Sequence, residues 1–429
     1  MNRKILALFC GLVMSFSLFA QESTQELNLS LEQAREYALE NNRTLQNASL
    51  DVQMAYAARW QTIASMLPSV DASFDYQNMC GYEMNFSGMS IPMNPYGTLG
   101  VTAALAVNGQ LIVAALISDL AIDMQDINRK NSELDIVSSV ESLYITALAM
   151  EKTMTILDET LLNLEELYKT TSAAVKVGAA EQTDADQIMV QVASMKSSIN
   201  STKRSVEMIY NSLALQLAVG IDSKIVLTDD LDNILNVEST LELLKTEFIV
   251  ANNYGYMLTE KNVEMAQRNV LLATMAYTPT ISAYYAYSYK TYFGKDEGFN
   301  MTVPNVVGVS VSVPIFSSGK RWKAVTEKKL ARQSAENTLA DTEDALRVQD
   351  KQLRYNLSSA YEDFDTQKLN IEVSQRVFKS TSNKYEHGYA SSLELTNAST
   401  TLLSAQSDYI QSLLTLVNAQ IDLKKLLNK

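Results

Sequence analysis

Few residues of this chain have the chemistry that catalysis or metal binding requires. Its 429 residues include one histidine, His387, and two cysteines, Cys10 and Cys80. The sequence has no glycine-rich loop of the phosphate-binding type, no cluster of His or Cys, and no serine with a plausible histidine partner. We therefore predict that the protein is not an enzyme and that it holds no cofactor or metal ion.

Charge restricts the possible partners. The chain has 35 Lys and Arg against 49 Asp and Glu, a formal net charge of −14. Proteins that bind nucleic acid usually present a basic surface instead. The sequence therefore predicts no nucleic-acid partner.

The first 20 residues have the pattern of a secretory signal peptide. Arg3 and Lys4 precede an apolar stretch of about fifteen residues, and Ser-Leu-Phe-Ala stands before Gln21. Lipidation at Cys10 is not favoured, because a lipoprotein cysteine follows a complete apolar region, whereas Cys10 lies inside one. We expect the mature protein to leave the cytoplasm.

The two halves of the chain repeat each other at a spacing of 210 to 211 residues. Asn41-Asn42 recurs as Asn252-Asn253, and Pro68 is matched by Pro279. Longer segments match in the same order: 65–77 with 276–288, 104–110 with 314–320, and 167–178 with 377–388. The chain is therefore predicted to be a tandem duplication.

After each of the two matched prolines, apolar residues change from helical spacing to strict alternation, which predicts strands. Two strands are expected in each repeat, at 69–77 and 98–107 and at 280–290 and 305–316. The alternating residues are Val70, Ala72, Phe74, Tyr76, Leu99, Val101, Ala103, Leu105, Ile281, Ala283, Tyr285, Tyr287, Tyr289, Val307, Val309, Val311, Val313 and Ile315. Strands of about ten residues with this pattern are typical of transmembrane barrels.

Two other interpretations of these segments remain. Residues 99–117 are apolar enough for a transmembrane helix, and a soluble antiparallel sheet would show the same alternation. The matching segment 308–325 contains Pro314 and ends with Lys320, Arg321 and Lys323, which a helix crossing lipid would not tolerate. The repeat therefore favours barrel strands.

The remaining segments have helical spacing. Residues 110–177 and 320–386 contain no proline, and at 1.5 Å per residue each would extend about 100 Å. Shorter helices are expected at 31–66, 179–217, 243–277 and 391–427. Each repeat is then a short helix, a strand pair, a long helix, a hairpin tip at Gly178 or Gly388, and a returning short helix. The first repeat is 21–217, an equatorial connector is 218–240, and the second repeat is 241–429.

Both returning helices carry heptad repeats, which predict coiled-coil seams. In the second repeat the seam positions are Leu395, Ala398, Leu402, Ala405, Tyr409, Ser412, Leu416, Ala419, Leu423 and Leu426. In the first they are Ala185, Ile188, Val192, Met195, Ile199, Thr202, Val206, Ile209, Leu213 and Gln216. Helix capping boxes are expected where a serine precedes Gln or Glu by three residues: Ser30 with Gln33, Ser239 with Glu242, and Ser391 with Glu394.

Four strands cannot close a barrel, because membrane barrels start at about eight strands and leave no open edge in lipid. Two chains would supply eight strands around a filled interior, whereas three would supply twelve around a channel. The expected fold is therefore mainly α with a membrane β-barrel shared by several chains. An exported protein with such a barrel and a helical part of about 100 Å is expected to be a conduit across a periplasm.

The segment KYEHGYASSLELTNASTTLLSAQSDYIQSLLTLVNAQIDLKKLL at 384–427 resembles the second hairpin tip and returning helix of the TolC family of outer-membrane channels. VKVGAAEQTDADQIMVQVA at 175–193 resembles the first tip, PIFSSGK at 314–320 the passage from strand to helix, and LPSVDASFDY at 67–76 the start of the strands. The resemblance covers essentially the whole mature chain. It implies a homotrimer with one twelve-stranded barrel in outer-membrane lipid and a coiled-coil helical barrel in the periplasm.

The resemblance also implies partners and site residues. The helical tips would meet a periplasmic adaptor, or membrane fusion protein, attached to an inner-membrane transporter. The contact residues would be Val177, Gly178, Ala179, His387, Gly388 and Tyr389. In the family the periplasmic constriction carries acidic residues six and nine positions after the second tip glycine, here Glu394 and Asn397. Only Glu394 is acidic, so a second charged ring is in doubt.

The implied function is a passive conduit in a tripartite efflux pump, opened by contact of its tips with the adaptor. A type I protein secretion system would use the same kind of channel. A periplasmic coiled-coil adaptor or scaffold is a further alternative, although such a protein would show one hairpin flanked by soluble β modules. Glu394 also has a simpler explanation as half of a capping box, and the two roles are compatible.

Overall fold

A computed structural model of the chain describes residues 26–86, 88–221, 223–234, 237–293 and 302–428. The predicted signal peptide at 1–20, with Cys10, lies outside these ranges. Contacts divide the chain into two compact units. One, here called the helical unit, contains the described residues up to Arg43, Asp135–Thr246 and Leu353–Lys425. The other, the sheet unit, contains Thr44–Leu134, Glu247–Gln352 and the residues from Leu426 onward.

Helices occupy most of the described residues. They are α1 (Leu31–Asn41), α2 (Arg43–Ala64), α3 (Gly109–Lys176), α4 (Gln182–Gln216), α5 (Leu231–Ile234), α6 (Val237–Lys245), α7 (Tyr254–Met275), α8 (Lys320–Glu386) and α9 (Ser392–Leu426). The long helices α3 and α8 have 68 and 67 residues, as expected from segments without internal breakers. Across the described ranges, no helix combines the length and the apolar character needed to cross a bilayer.

Two of the expected short helices are interrupted, so their prediction as continuous helices is wrong. The segment 31–66 breaks at Asn42, which has an extended backbone with ψ of 125°. The segment 243–277 breaks before Asn253, whose side chain caps α7 by accepting a hydrogen bond from Gly255 N at 2.9 Å. The first break falls at the pair Asn41-Asn42, and the second covers residues 246–253 and ends at the matching pair Asn252-Asn253.

The interrupting asparagines make matching contacts in their own units. Asn42 Nδ2 donates to the carbonyl oxygen of Gln216, at the end of α4, at 2.7 Å. Asn253 Nδ2 donates to the carbonyl oxygen of Leu426, at the end of α9, at 3.2 Å. Each amide therefore satisfies a terminal helix carbonyl that has no partner within its own helix.

The strands are β1 (Leu27–Leu29), β2 (Ser69–Gln77), β3 (Glu83–Phe86), β4 (Met89–Pro92), β5 (Tyr96–Val107), β6 (Ile225–Leu227), β7 (Thr280–Tyr292) and β8 (Asn305–Ser312). Four of them form an antiparallel sheet in the order β2-β5-β7-β8. The central pair, β5 and β7, joins the two repeats. β8 ends at Ser312 rather than at the predicted residue 316, because Pro314 has no N–H to continue the ladder.

The register places the alternating apolar residues on one face of the sheet. Phe74 is opposite Leu99, and Leu99 is opposite Tyr289. Farther along, Ala283 is opposite Val309. Val307 on this face is 77% exposed in the single chain. The sheet therefore presents an apolar face that its own chain leaves uncovered.

Two small β elements have no counterpart in the sequence prediction. β1, near the start of the described chain, pairs in parallel with β6, which lies inside the predicted connector 218–240. β3 and β4 form a hairpin inside the predicted loop between the first two strands of the sheet. Strands of three or four residues are too short to produce a recognisable alternation.

The heptad seam of α9 is buried, whereas that of α4 is buried only in part. In α9, Leu395, Leu402 and Leu423 are at most 3% exposed, and of the ten predicted seam positions only Tyr409 is half-buried. In α4, four of the ten predicted positions are buried, Ile188 and Leu213 completely, and the other six are half-buried. Near the tips these helices share one core with Leu157, Leu164, Leu167 and Phe378 of the long helices.

The helical unit also buries one carboxylate between two cations. Glu141 Oε2 accepts from Arg35 at 2.6 Å and Glu141 Oε1 accepts from Lys424 at 2.7 Å, while the glutamate side chain is 9% exposed. Nearby, Tyr144 donates to the carbonyl oxygen of Leu29 at 2.9 Å and contacts Asp229 at 3.0 Å. Burial, followed by the contact with Asp229, raises the pKa of Tyr144 to about 12. These contacts fix α1, α3, α9 and the connector to one another.

Candidate functional site: the helical tips

The helical unit contains two tight turns between long and returning helices. Gly178 follows α3 with φ of +77°, and Gly388 follows α8 with φ of +76°. Ala179 N donates to Ala174 O at 2.9 Å, and Tyr389 N donates to Lys384 O at 2.7 Å. Such reverse hydrogen bonds around a left-handed residue are the usual way in which glycine ends a helix. No atom of the described part of the chain lies within 4 Å of a Cβ added at either glycine, so backbone strain would be the main limit on substitution there.

All six residues predicted at the adaptor contact lie exposed at these turns. Val177 is 80% exposed and Tyr389 is 83% exposed, although both are large and apolar. Ala179 and His387 are also exposed. The His387 ring lies against its own helix, with Nδ1 2.7 Å from the carbonyl oxygen of Asn383. The two tips therefore offer accessible apolar side chains next to rigid turns.

Side-chain contacts that the sequence analysis did not predict join the two tips. Ser392 Oγ lies in hydrogen-bond contact with Asp184 and is 3.1 Å from Oε1 of Gln187. On the long helices, Thr171 Oγ1 donates to Tyr385 Oη at 3.2 Å. The sequence repeat aligns Asp184 with Glu394, and this alignment is the one sequence feature that could have indicated a role for Asp184 at the tips. The tips are thus coupled by polar contacts above a shared apolar core.

A cleft of about 760 Å³ lies between the tips. Its walls include Thr171, Gly178, Glu181, Tyr385, Gly388 and Ser392. Both tip glycines therefore border the same cavity. Its lining is mixed, with hydroxyl and carboxylate side chains beside apolar ones such as Leu167.

Glu394 forms the predicted capping box with Ser391. Glu394 Oε2 accepts from Ser391 N at 2.7 Å, and Ser391 Oγ lies 3.2 Å from Glu394 N. The hydrogen bond from Ser391 N, followed by the one that Ser391 Oγ donates to Glu394 Oε2 at 3.0 Å, lowers the pKa of the Glu394 carboxyl. The capping box at Ser30 and Gln33 is also present. The third, at Ser239, is wrong because Ser239 lies inside α6 and not at its start.

Asn397, the second predicted gate residue, lies one turn after Glu394 and is exposed. Glu394 is exposed as well, so both side chains stand on a part of α9 that its own chain does not cover. Their counterparts in the first repeat, Asp184 and Gln187, instead contact Ser392. In the described part of the chain, no three His, Cys, Asp or Glu residues are grouped so that they could hold a metal ion.

Comparisons with known proteins match both repeats. The chain matches the family described as outer membrane efflux protein over residues 34–219 and 255–429. It is 24% identical to the probable efflux pump outer membrane protein TtgC of Pseudomonas putida, over 93% of this chain and 82% of that protein.

Solved structures share the fold. CusC superposes with a TM-score of 0.75 at 18% identity, over 96% of this chain and 95% of CusC. The open state of the Neisseria gonorrhoeae MtrE outer membrane channel gives a TM-score of 0.74 at 19% identity, over 92% and 88%. The helices and strands are therefore arranged in each case as in known outer-membrane channels.

Proposed function

This chain belongs to the outer membrane efflux protein family, and we propose that it is the outer-membrane channel of a tripartite efflux pump. The family consists of efflux channels rather than enzymes. The observation that carries the proposal is the match over both repeats, which includes the strands and both tips. The names of the relatives favour efflux over type I protein secretion, because TtgC is described as an efflux pump component.

We propose that three chains complete the channel. Among the strands that the structure describes, β2 and β8 each pair along one side only. An unpaired strand edge is costly in lipid, so the edges need partners from other chains. Twelve strands would enclose a lumen, whereas eight would fill with side chains. The uncovered apolar face of the sheet would then contact the membrane.

The tips are the proposed contact with a periplasmic adaptor and, through it, with an inner-membrane transporter. The exposed side chains of Val177 and Tyr389 suit an apolar contact, and the cleft between the tips would accept a helical hairpin. Aromatic residues are enriched in the centres of protein interfaces. His387 is exposed beside them, with its ring against its own helix.

Glu394 is the proposed charged residue of the periplasmic constriction. Three copies around a threefold axis would repel anions and attract cations at a narrow point. The hydrogen bonds from Ser391 lower the pKa of Glu394. Its carboxylate therefore stays charged at a pH at which an ordinary glutamate would already be protonated. Its capping contribution is then present at neutral pH and is lost only as pH falls through the lowered pKa. Asn397, one turn away, would add a neutral polar ring.

Planar bilayers test both the channel and this ring. The purified wild-type protein should conduct ions, and Glu394→Gln should reduce cation selectivity or cation block. Glutamine serves a capping box nearly as well as glutamate, so the helix should remain intact in this variant. Asn397→Ala is the matched control without a charge change. Absence of conductance by the wild type, both alone and together with its adaptor, would contradict the channel. Unchanged selectivity in Glu394→Gln would leave the cap as the only role of Glu394.

A further inference from the structure

A basic segment follows the last strand of the sheet. Residues 320–332 contain six Lys or Arg and one Glu, although the whole chain has a net charge of −14. No Asp or Glu occurs from 298 to 326. Three of the cations, Lys320, Arg321 and Lys323, here called the basic cluster, lie in the first turn of α8, eight to eleven residues after β8 ends at Ser312.

These three cations lack acidic neighbours. Within the described ranges none of them forms an ion pair, whereas Lys328 pairs with Glu327 at 3.0 Å and Arg332 with Glu336 at 3.1 Å. The first turn of α8 contains no acidic residue, and the positive end of the helix dipole adds to the local positive charge. Arg321 Nε is buried and has no hydrogen-bond partner among the residues that the structure describes. The arrangement is therefore electrostatically unfavourable for the chain alone.

Aromatic and apolar side chains lie beside the cations. The Arg321 guanidinium stands 5.3 Å from the centre of the Tyr277 ring, and Lys323 Nζ stands 4.5 Å from the Trp322 ring. Just before the helix, Ile315 is 91% exposed and Phe316 is 85% exposed. Cations and aromatic rings next to exposed apolar residues are typical of a membrane–water interface.

The first repeat shows that the turn from strand to helix does not require these charges. Gln110 occupies the position equivalent to Lys320, and apolar residues follow it, including Ile112. The corresponding helix, α3, nevertheless begins at Gly109, within one residue of the position equivalent to the start of α8. The charges of the second repeat therefore point to a ligand and not to folding.

We propose that Lys320, Arg321, Trp322 and Lys323 bind the headgroups of anionic phospholipids. This inference rests on the proposed function, in which the sheet crosses the outer membrane. All four strands connect to long or short helices at one end of the sheet, through Ser69, Val107, Thr280 and Ser312. The cluster lies at that end, on the periplasmic side, where the leaflet of an outer membrane is made of phospholipid. Charge complementarity selects the anionic members of that leaflet.

Fluorescence of Trp322 reports on the lipid beside the cluster. The chain has two tryptophans, so Trp60→Phe leaves Trp322 as the only one. The full-length protein would be reconstituted in phosphatidylcholine bilayers that contain brominated phosphatidylglycerol or brominated phosphatidylcholine, and quenching gives the relative binding of the two lipids. We expect phosphatidylglycerol to be preferred by about fivefold, the effect of one well-placed cation near a membrane surface.

A matched pair of triple variants separates the cluster from general charge. K320Q/R321Q/K323Q should abolish the preference for phosphatidylglycerol. K328Q/K329Q/R332Q removes the same number of charges about 12 to 18 Å farther along the helix from Lys320 and should retain the preference. Equal quenching by both lipids in the wild type, or equal loss in both triple variants, would overturn the site. A protein that failed to enter bilayers at all would contradict the proposed function as well.

Discussion

Replacing Gly388 with valine is expected to abolish export while leaving the assembled protein in the outer membrane. Gly388 has φ of +76°, a conformation that costs a residue with a Cβ roughly 1 to 2 kcal/mol and that β-branched residues adopt least well. This cost is too small to unfold helices of 67 and 35 residues joined by a buried core. It is large enough to change the conformation of the turn, and with it the position of Tyr389 and the shape of the cleft that the adaptor would contact. Export is measured as drug resistance in a strain whose own copy of the gene is deleted and which produces the variant instead.

Two further variants make this test specific. Gly388→Asn should keep most of the export, because asparagine tolerates a left-handed backbone better than other residues. Gly81→Val imposes the same demand at φ of +84°, also with no atom near its Cβ, but in the loop before the β3–β4 hairpin. It should leave export unchanged. Normal export by Gly388→Val would mean that this tip is not a contact site.

Replacing Glu141 with alanine is expected to destabilise the helical unit by about 3 kcal/mol. The change leaves Arg35 and Lys424 close together without their shared carboxylate, which lies 2.6 and 2.7 Å away from them. The estimate takes the lower end of the range for broken buried pairs, since the two cations are 33% and 31% exposed. Chemical denaturation in detergent, followed by circular dichroism, measures the loss.

The control for Glu141 is an ion pair at the surface. Glu343 pairs with Arg347 one turn away on α8 at 2.7 Å, and Arg347 is well exposed. Glu343→Ala should therefore change the free energy of unfolding by only about 0.5 kcal/mol. Replacing Arg35, Glu141 and Lys424 together with apolar residues of similar size should recover much of the loss. Equal stability of Glu141→Ala and Glu343→Ala would refute a special role for the buried carboxylate.

The sequence was most informative where a residue type has a single local consequence. The glycine at the end of each long helical segment predicts a hairpin tip at Gly178 and at Gly388, and both residues have the positive φ that such a turn requires. Strand alternation located the four strands of the sheet to within a few residues, and only Pro314 shortened one of them. Spacing also predicted the capping boxes at Ser391 and Ser30, which are present, although the same spacing fails at Ser239 inside α6. Such features depend on neighbours within four residues, which the sequence displays directly.

Features that depend on distant residues could not be predicted in this way. Asn42 interrupts a helix because its amide reaches Gln216, 174 residues later. Ser392 contacts Asp184 across the two repeats, and the pairing of β5 with β7 depends on the packing of both strand pairs in one sheet. The sequence repeat marks Asn42 and Asp184 as positions of interest, because Asn42 is equivalent to Asn253 and Asp184 is equivalent to Glu394. An alignment of the halves does not show which residues touch.

The mass of the protein extracted from the outer membrane in mild detergent tests the central claim most directly. One chain supplies four strands to the sheet, and a channel with a lumen needs about twelve. Light scattering or native mass spectrometry should therefore give the mass of three chains, stable on dilution. A particle of one or two chains would contradict the account, because four or eight strands leave either open edges in lipid or a filled barrel.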